Sequence, residues 1–347
     1  MPVAKEIPAE VQGWFAAMRE QADKGNGEEA LKMHEKVMAW VRVNLPEKHV
    51  FRARVMVRYG YVLDKIGKYQ EALIPASNGA QLLRELSESS PEPDTRYFLT
   101  IALNNLGRRH AKLEQTQAAA EVFQEALSAL RQLLRSRADN RELELLRETL
   151  GELSVALVQI GKTQDLVAEQ QATLLILREA AKNNPMSLDA VADILVSLGD
   201  TYSELGRFSE AQSSFREALE LLRDQSKARN ARRDILKKTL IKLIGVNASL
   251  GQLDSIKAIW SEVLPILEDE LLDARKNASS DLLSRQIIAL TLSQLSIIYS
   301  QLEQPAQSLQ AAQEALPILR ESAKADPADK TWQSFKLVVL KIIISYT

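Results

Sequence analysis

The chain has 347 residues, 46% of them hydrophobic, and a net charge of -2 from 44 basic and 46 acidic side chains, so no overall field draws it to nucleic acid or an anionic bilayer. With no cysteine it has no disulfide, no thiol catalysis and few routes to a zinc site. With only 13 Gly and 11 Pro among abundant Ala, Leu, Glu, Gln and Arg, composition favours helix almost throughout and predicts no sheet. The opening MPVAKEIPAE lacks the basic-then-apolar run of a secretory signal, and no stretch approaches the length of uninterrupted apolar residues that a membrane span needs. The expectation is therefore a cytoplasmic protein that does not enter a membrane. The N-x-S sequons at Asn247 and Asn277 are then chance matches inside helix.

Taken in order, the chain reads as a series of helical hairpins. The first opens at Ile7-Pro8, a sound helix start, carries Trp14, turns at Gly25 and returns through EEALKMHEKVMAWVRVNL. The second has Gly60 and Ala72 on facing helices and places Pro75 and Gly79 inside its second helix, where a kink is expected. Ser87 to Thr95, rich in turn residues, reads as the longest loop. The third hairpin, LNNLGRRHAKLEQTQAAAEVFQEAL, carries Gly107, Ala119, Phe123 and Ala126; the fourth keeps its turn at Gly161 and loses its aromatic residues. The fifth is the clearest. In Ile194 to Leu222, ILVSLGDTYSELGRFSEAQSSFREALELL, residues Gly199, Tyr202, Ala211, Phe215, Ala218 and Leu219 fall at helical spacing on either side of Gly206. The sixth and seventh carry Trp260 and Tyr299, and share a bend in VLPIL and ALPIL, at Pro265 and Pro317. KLVVLKIIISYT then aligns with the first helix of an eighth hairpin.

Two features fix the register. Turns fall at Gly25, Gly67, Glu114, Gly161, Gly206, Gly251 and Glu303, about 42 to 52 residues apart. At a constant offset into each second helix come Val37, Gly79, Ala126, Thr173, Ala218, Val263 and Ala315, small or β-branched residues that suit a close helix crossing. The pattern of Leu-Gly, Tyr, Ala, Phe, Ala and a closing Pro, as at Pro185 and Pro327, resembles the tetratricopeptide repeat, with helices longer than the family norm. The resemblance implies an all-α, right-handed solenoid of antiparallel helical hairpins. The reading is one solenoid over residues 1–347, seven hairpins plus one unpaired terminal helix, in a bacterial type of the family. The apolar run Val338, Val339, Leu340, Ile342, Ile343 and Ile344 lacks a following polar-faced helix. The expectation drawn from it is a front part of a longer protein with a C-terminal effector domain, or end-to-end self-association through Val338, Leu340, Ile342 and Ile343.

No catalytic set emerges. His34 and His49 have no spaced partner, and His110, between Arg108, Arg109 and Lys112, sits where packing at the hairpin interface explains it. There is no HExxH, no GxSxG and no phosphate loop, KGNGEE reading as a turn. No catalytic residue, metal site or cofactor is assigned, and the chain is read as not an enzyme.

Binding is the alternative, because stacked hairpins turn their first helices toward a groove. On that face the spacing places Arg54, Arg58, Tyr61 and Lys65 in the second hairpin and Asn104, Asn105, Arg108 and Lys112 in the third. The set suits a carboxylate and resembles, in part, the carboxylate clamp of chaperone-binding members of the family. Farther on come Asp193, Asp200, Ser203 and Glu204, then Lys238, Lys242 and Asn247, so the face alternates in sign. Alternation argues for a protein or peptide and against a nucleic-acid backbone. The basic run from Lys227 to Lys242 lacks interleaved aromatics, and Trp14, Trp40, Trp260 and Trp332 fall at packing positions. The favoured reading is a non-catalytic protein- or peptide-binding scaffold acting as a sensor or adaptor module. The alternatives are a free-standing regulator that binds a signalling peptide, then an RNA-binding helical repeat.

Overall fold

The computed structural model describes residues 6–226, 230–278 and 281–346. Among these the chain forms fifteen α-helices and no strand. It divides into two compact units, Met1–Thr201 and Tyr202–Thr347. The first contains α1 (Ala9–Asp23), α2 (Gly27–Asn44), α3 (Val50–Lys65), α4 (Tyr69–Ser89), α5 (Pro93–Lys112), α6 (Thr116–Ser136), α7 (Asn140–Gln159), α8 (Thr163–Ala181) and most of α9 (Ser187–Glu204). The second contains α10 (Phe208–Ser226), α11 (Asn230–Ser249), α12 (Leu253–Lys276), α13 (Leu282–Gln301), α14 (Pro305–Ala325) and α15 (Lys330–Tyr346). Two helices and a tight turn make each hairpin, and within each unit the hairpins stack as in an all-α solenoid.

One device closes every first helix. Gly25, Gly67, Gly161, Gly206, Gly251, Glu114 and Glu303 all have positive φ, between 58° and 81°. The next residue donates its N–H five residues back, as Lys68 does to Leu63 at 2.9 Å and Gln304 to Tyr299 at 2.8 Å, satisfying a helix-end carbonyl. These are the seven turns marked by the sequence. The offset residues of the second helices are the crossing points: Val37, Ala126, Thr173, Ala218, Val263 and Ala315 are all 0% exposed. At Gly79 a Cβ would stand 2.8 Å from Val57 Cγ2 and 2.9 Å from the Ala53 carbonyl, so only glycine lets α4 lie this close to α3.

In the first unit, α1, α3, α5 and α7 touch in succession, and each also packs on the even-numbered helix that follows it. Phe15, Met18, Val37, Phe51 and Val55 fill the first core cluster, against which Trp14 and Trp40 pack; Ala53, Leu83, Leu103 and Leu106 belong to the next. In the second unit α13 packs against α12, α14 and α15, burying Leu292, Leu295 and Ile298. By length and composition Leu282–Gln301 is apolar enough to cross a membrane.

One expectation needs correction. Ser87 to Thr95 is not a long loop: α4 continues to Ser89 and α5 begins at Pro93, whose ring suits a first helical turn, leaving three connecting residues. The second helices run on through Pro75, Pro265 and Pro317, because burial on neighbouring helices outweighs one missing N–H at each.

Candidate functional site

The exposed stripes of α1, α3, α5 and α7 enclose a cavity of about 640 Å³. Helical spacing creates it, since Arg54, Arg58 and Tyr61 repeat along one side of α3 while Val55 and Val62 face the core. Phe15 and Arg19 of α1, Phe98, Ile101 and Asn105 of α5, and Arg141 and Glu144 of α7 are among the other residues that line it.

Arginine on aromatic surface is its dominant chemistry. The Arg54 guanidinium lies 4.0 Å from the Phe98 ring centroid and 5.3 Å from that of Phe15, which Arg58 approaches to 4.4 Å. Arg141 lies 4.4 Å from the Tyr97 centroid. No described carboxylate makes an ion pair with Arg54, Arg58 or Arg141, and among the described residues the first two guanidinium groups make one long hydrogen bond, Arg58 Nη1 to the Phe15 carbonyl at 3.4 Å. Burial lowers the pKa of Arg54; burial, then the nearby Arg19 and Arg54, lowers that of Arg58 to about 10. Both side chains are thus half-buried cations with no carboxylate in ion-pair contact, although Asp94 acts on Arg54 and Asp23 on Arg58 from farther off against the effect of burial.

The other charges are already matched. Arg108 reaches Glu152 at 2.7 Å and also pairs with Glu148, while Glu144 pairs with Arg147 at 2.8 Å. At the rim, Tyr61 donates its hydroxyl to Asp23, which Lys65 meets at 3.2 Å, and these two partners hold the Asp23 carboxyl below its ordinary range.

Of the residues assigned to the groove from sequence, the structure brings together Arg54, Arg58, Tyr61, Asn105 and Arg108 around this cavity. Lys65 stands just outside, and Lys112 lies 5.0 Å from the Tyr69 ring centroid at the hairpin turn. Asn104 is a correction: it is 1% exposed and donates to Thr149 Oγ1 at 2.8 Å, because its position one residue before Asn105 rotates it into the α5–α7 contact. Asn247 is another, 0% exposed and accepting from Gln212 at 2.6 Å. Asp193 is committed to Arg147 at 2.8 Å; Asp200 is half-buried, and Glu204 and Lys242 are exposed, away from the lining of this cavity. On α15 the expected apolar surface is smaller than the sequence implied. Val339 is buried and Leu340, Ile342 and Ile343 are half-buried, while Val338, Leu337 and Ile344 are exposed.

Sequence reasoning missed Phe15, Arg19, Tyr97, Phe98 and Arg141, which extending the α3 stripe to the neighbouring first helices finds. It also missed Arg109, 1% exposed and 2.9 Å from Asp64, an ion pair between α5 and α3. The basic run lies partly outside the described residues, at 227–229. Farther along it Lys237 pairs with Glu270 at 2.7 Å and Lys238 with Asp234 at 2.7 Å, and Arg233 pairs with Asp269. His110 bonds through Nδ1 to Gln115 at 2.7 Å across its turn.

Tetratricopeptide-repeat models match residues 100–136 and 192–224, the α5–α6 hairpin and the fifth one. The chain carries tetratricopeptide repeats. Its fold is similar to that of the C-terminal part of a tetratricopeptide-repeat-containing protein from Cytophaga hutchinsonii, with a TM-score of 0.51 at 13% identity, over 92% of this chain and 98% of that one. Two further similarities are looser. BtubC from P. vanneervenii gives a TM-score of 0.47 at 18% identity, covering 74% of this chain and 93% of that one; a Rap protein complexed with competence and sporulation factor gives 0.38 at 13%, covering 98% and 86%. A comparison with curated proteins finds no match. Tetratricopeptide repeats are protein-interaction scaffolds, and the arginine-lined cavity sits on the first helices of this one.

Proposed function

We propose that the chain is a protein- or peptide-binding adaptor whose ligand site is the cavity over α1, α3, α5 and α7. There an extended segment of a partner presents carboxylate side chains to Arg54 and Arg58. The observation that carries this reading is the pair of half-buried guanidinium groups with aromatic faces beneath them and, among the described residues, no carboxylate in ion-pair contact with them. A guanidinium stacked through its face keeps its N–H donors in plane, available to a carboxylate in a bidentate pair. Such a pair forms where water is already partly excluded, so the charge-assisted bonds are stronger than at an open surface.

The aromatic surface also speaks against RNA. Phe15, Phe98 and Tyr97 already carry arginines on the ring faces that stacked bases would need, and the basic run of α11 is matched by carboxylates of α12. In this reading recognition is the chain's whole task and any chemistry belongs to what it binds.

The test is to pan a random dodecapeptide library against the full chain. Enrichment of Asp and Glu is expected, together with a loss of affinity of about tenfold or more for the selected peptides in Arg54→Gln/Arg58→Gln, about 1.4 kcal/mol or more. Lys242→Gln leaves affinity unchanged. Selected peptides without acidic positions, or indifferent to the double substitution, would sink the proposal.

A further inference from the structure

The second unit holds a pocket of its own, lined by α10, α11 and α12. Its volume of about 380 Å³ lies within the range of small-molecule sites. From α11 it receives Leu243 and Asn247, one turn apart on the same side of the helix.

Asn247 stands four residues before the turn at Gly251. Leu63, Leu157 and Tyr202 hold the same place before their turns and are buried, so an apolar or aromatic side chain satisfies the hairpin there. Where that place is polar elsewhere, the residue is half-buried and is paired across its turn, Gln21 with Asn26 and His110 with Gln115. Asn247 differs from both sets. It is 0% exposed, and its amide is used at one end only. Oδ1 accepts from Gln212 Nε2 at 2.6 Å, and that nitrogen also donates to Gln252 Oε1 at 2.6 Å. Among the described residues Nδ2 has no acceptor. A buried amide donor left unpaired costs the fold stability, so its presence calls for something to which it donates.

The charges of the pocket point to a neutral acceptor. Arg223 meets both carboxylate oxygens of Glu262, at 2.8 and 2.9 Å. Arg216 and Glu220, one turn apart on α10, are exposed and opposite in sign, so they add no net charge. A carboxylate brought to Asn247 would lose its water with no unpaired cation buried beside it, whereas a neutral carbonyl oxygen is desolvated at far smaller cost. Leu219, Leu243 and Ile259, all buried, supply apolar wall.

We infer that this pocket binds a small uncharged molecule with an aliphatic body and a carbonyl oxygen. The carbonyl accepts from Asn247 Nδ2, and the body lies on Leu219, Leu243 and Ile259. None of these residues belongs to the arginine cavity, and the inference does not rest on the reading given to it.

Caprolactam, cyclohexanone and N-isobutylacetamide are the probes, titrated into the isotope-labelled full chain and followed by nuclear magnetic resonance. The Asn247 side-chain amide signals, identified as the pair that Asn247→Asp removes, should move saturably with at least one of them. Cyclohexylamine and hexanoate should leave those signals in place. Asn247→Asp keeps the acceptor for Gln212 and removes the donor. It should retain the helical circular dichroism of the parent and, by the backbone amide shifts of Leu243 and Ala258, bind the probe at least tenfold more weakly. Ala258 is exposed on the lining, so Ala258→Phe obstructs the pocket while leaving Asn247 in place. It should weaken binding by a similar factor with an unchanged melting temperature. The inference is overturned if none of the three carbonyl probes moves the Asn247 signals, or if either variant binds like the parent. Tighter binding of cyclohexylamine or hexanoate than of every carbonyl probe would overturn it as well, since the ligand would then be a donor or an anion.

Discussion

His34 stacks on Tyr59 with ring centroids 3.9 Å apart and planes 3° from parallel, and its Nδ1 is buried without a partner. Burial first, and then the charge of Arg42, lowers its pKa to about 4. The folded pKa lies below the ordinary histidine value of 6.5, so the unfolded chain takes up the proton first. Stability from the neutral ring is complete above about pH 6.5 and is lost as pH falls toward about 4. His34→Phe keeps a ring on Tyr59 and removes the titration. Its melting temperature should fall less than the parent's between pH 7 and pH 4.5 in scanning calorimetry, and parallel curves would refute this account. Asp64 behaves in the opposite sense. Burial raises its pKa in spite of Arg109, so its contribution is fully present only below its unfolded value and is lost as pH rises through the folded one. Of these two groups it is the histidine that contributes acid lability.

At the scale of the helix, the seven turns share one backbone conformation but not one residue. Five use glycine, while Glu114 and Glu303 hold φ of 60° and 58°, where a side chain is crowded by its own backbone. Glu114→Gly should stabilise the chain by about 0.5 to 1 kcal/mol, raising the urea midpoint with an unchanged slope. A lowered midpoint would show that the Glu114 side chain contributes more than its strained backbone costs. Glu303 is the less favourable site for the same change, since it also meets Lys257 at 3.0 Å, though an exposed pair of this kind is worth little.

Across the whole molecule, stability is local. Each helix touches near neighbours in sequence, α6 packing on α5, α7 and α8, so a defect is felt within a few helices. Phe123 is 1% exposed and fills the space that Gly107 leaves open. Phe123→Ala should cost about 3 to 5 kcal/mol and accelerate hydrogen exchange in α5, α6 and α7 while protection in α13 and α14 is unchanged. Uniform acceleration along the chain would mean that it unfolds as a single cooperative block. The same locality lets the site occupy four successive first helices of one unit, each contributing one exposed stripe.

The turns and crossing points were legible in the sequence because they are local demands: a left-handed residue at a helix end and a small side chain where two backbones approach restrict residue type wherever they occur. Helical periodicity likewise placed Arg54, Arg58 and Arg108 on the groove side. A stripe read by eye is only as narrow as the 100° between successive helix residues permits, which is why Asn104 was grouped with Asn105 although it turns inward to Thr149. Ser87 to Thr95 read as loop because its turn residues are equally good at ending and beginning helices. Pairing between distant residues was decided by tertiary structure alone. Arg108 and Arg54 are the same residue type lining the same cavity from neighbouring first helices, yet one pairs with Glu148 and Glu152 and the other rests on Phe98 without an ion pair. Composition fixed how many charges the chain has; the stacking of its helices determined which of them a ligand can reach.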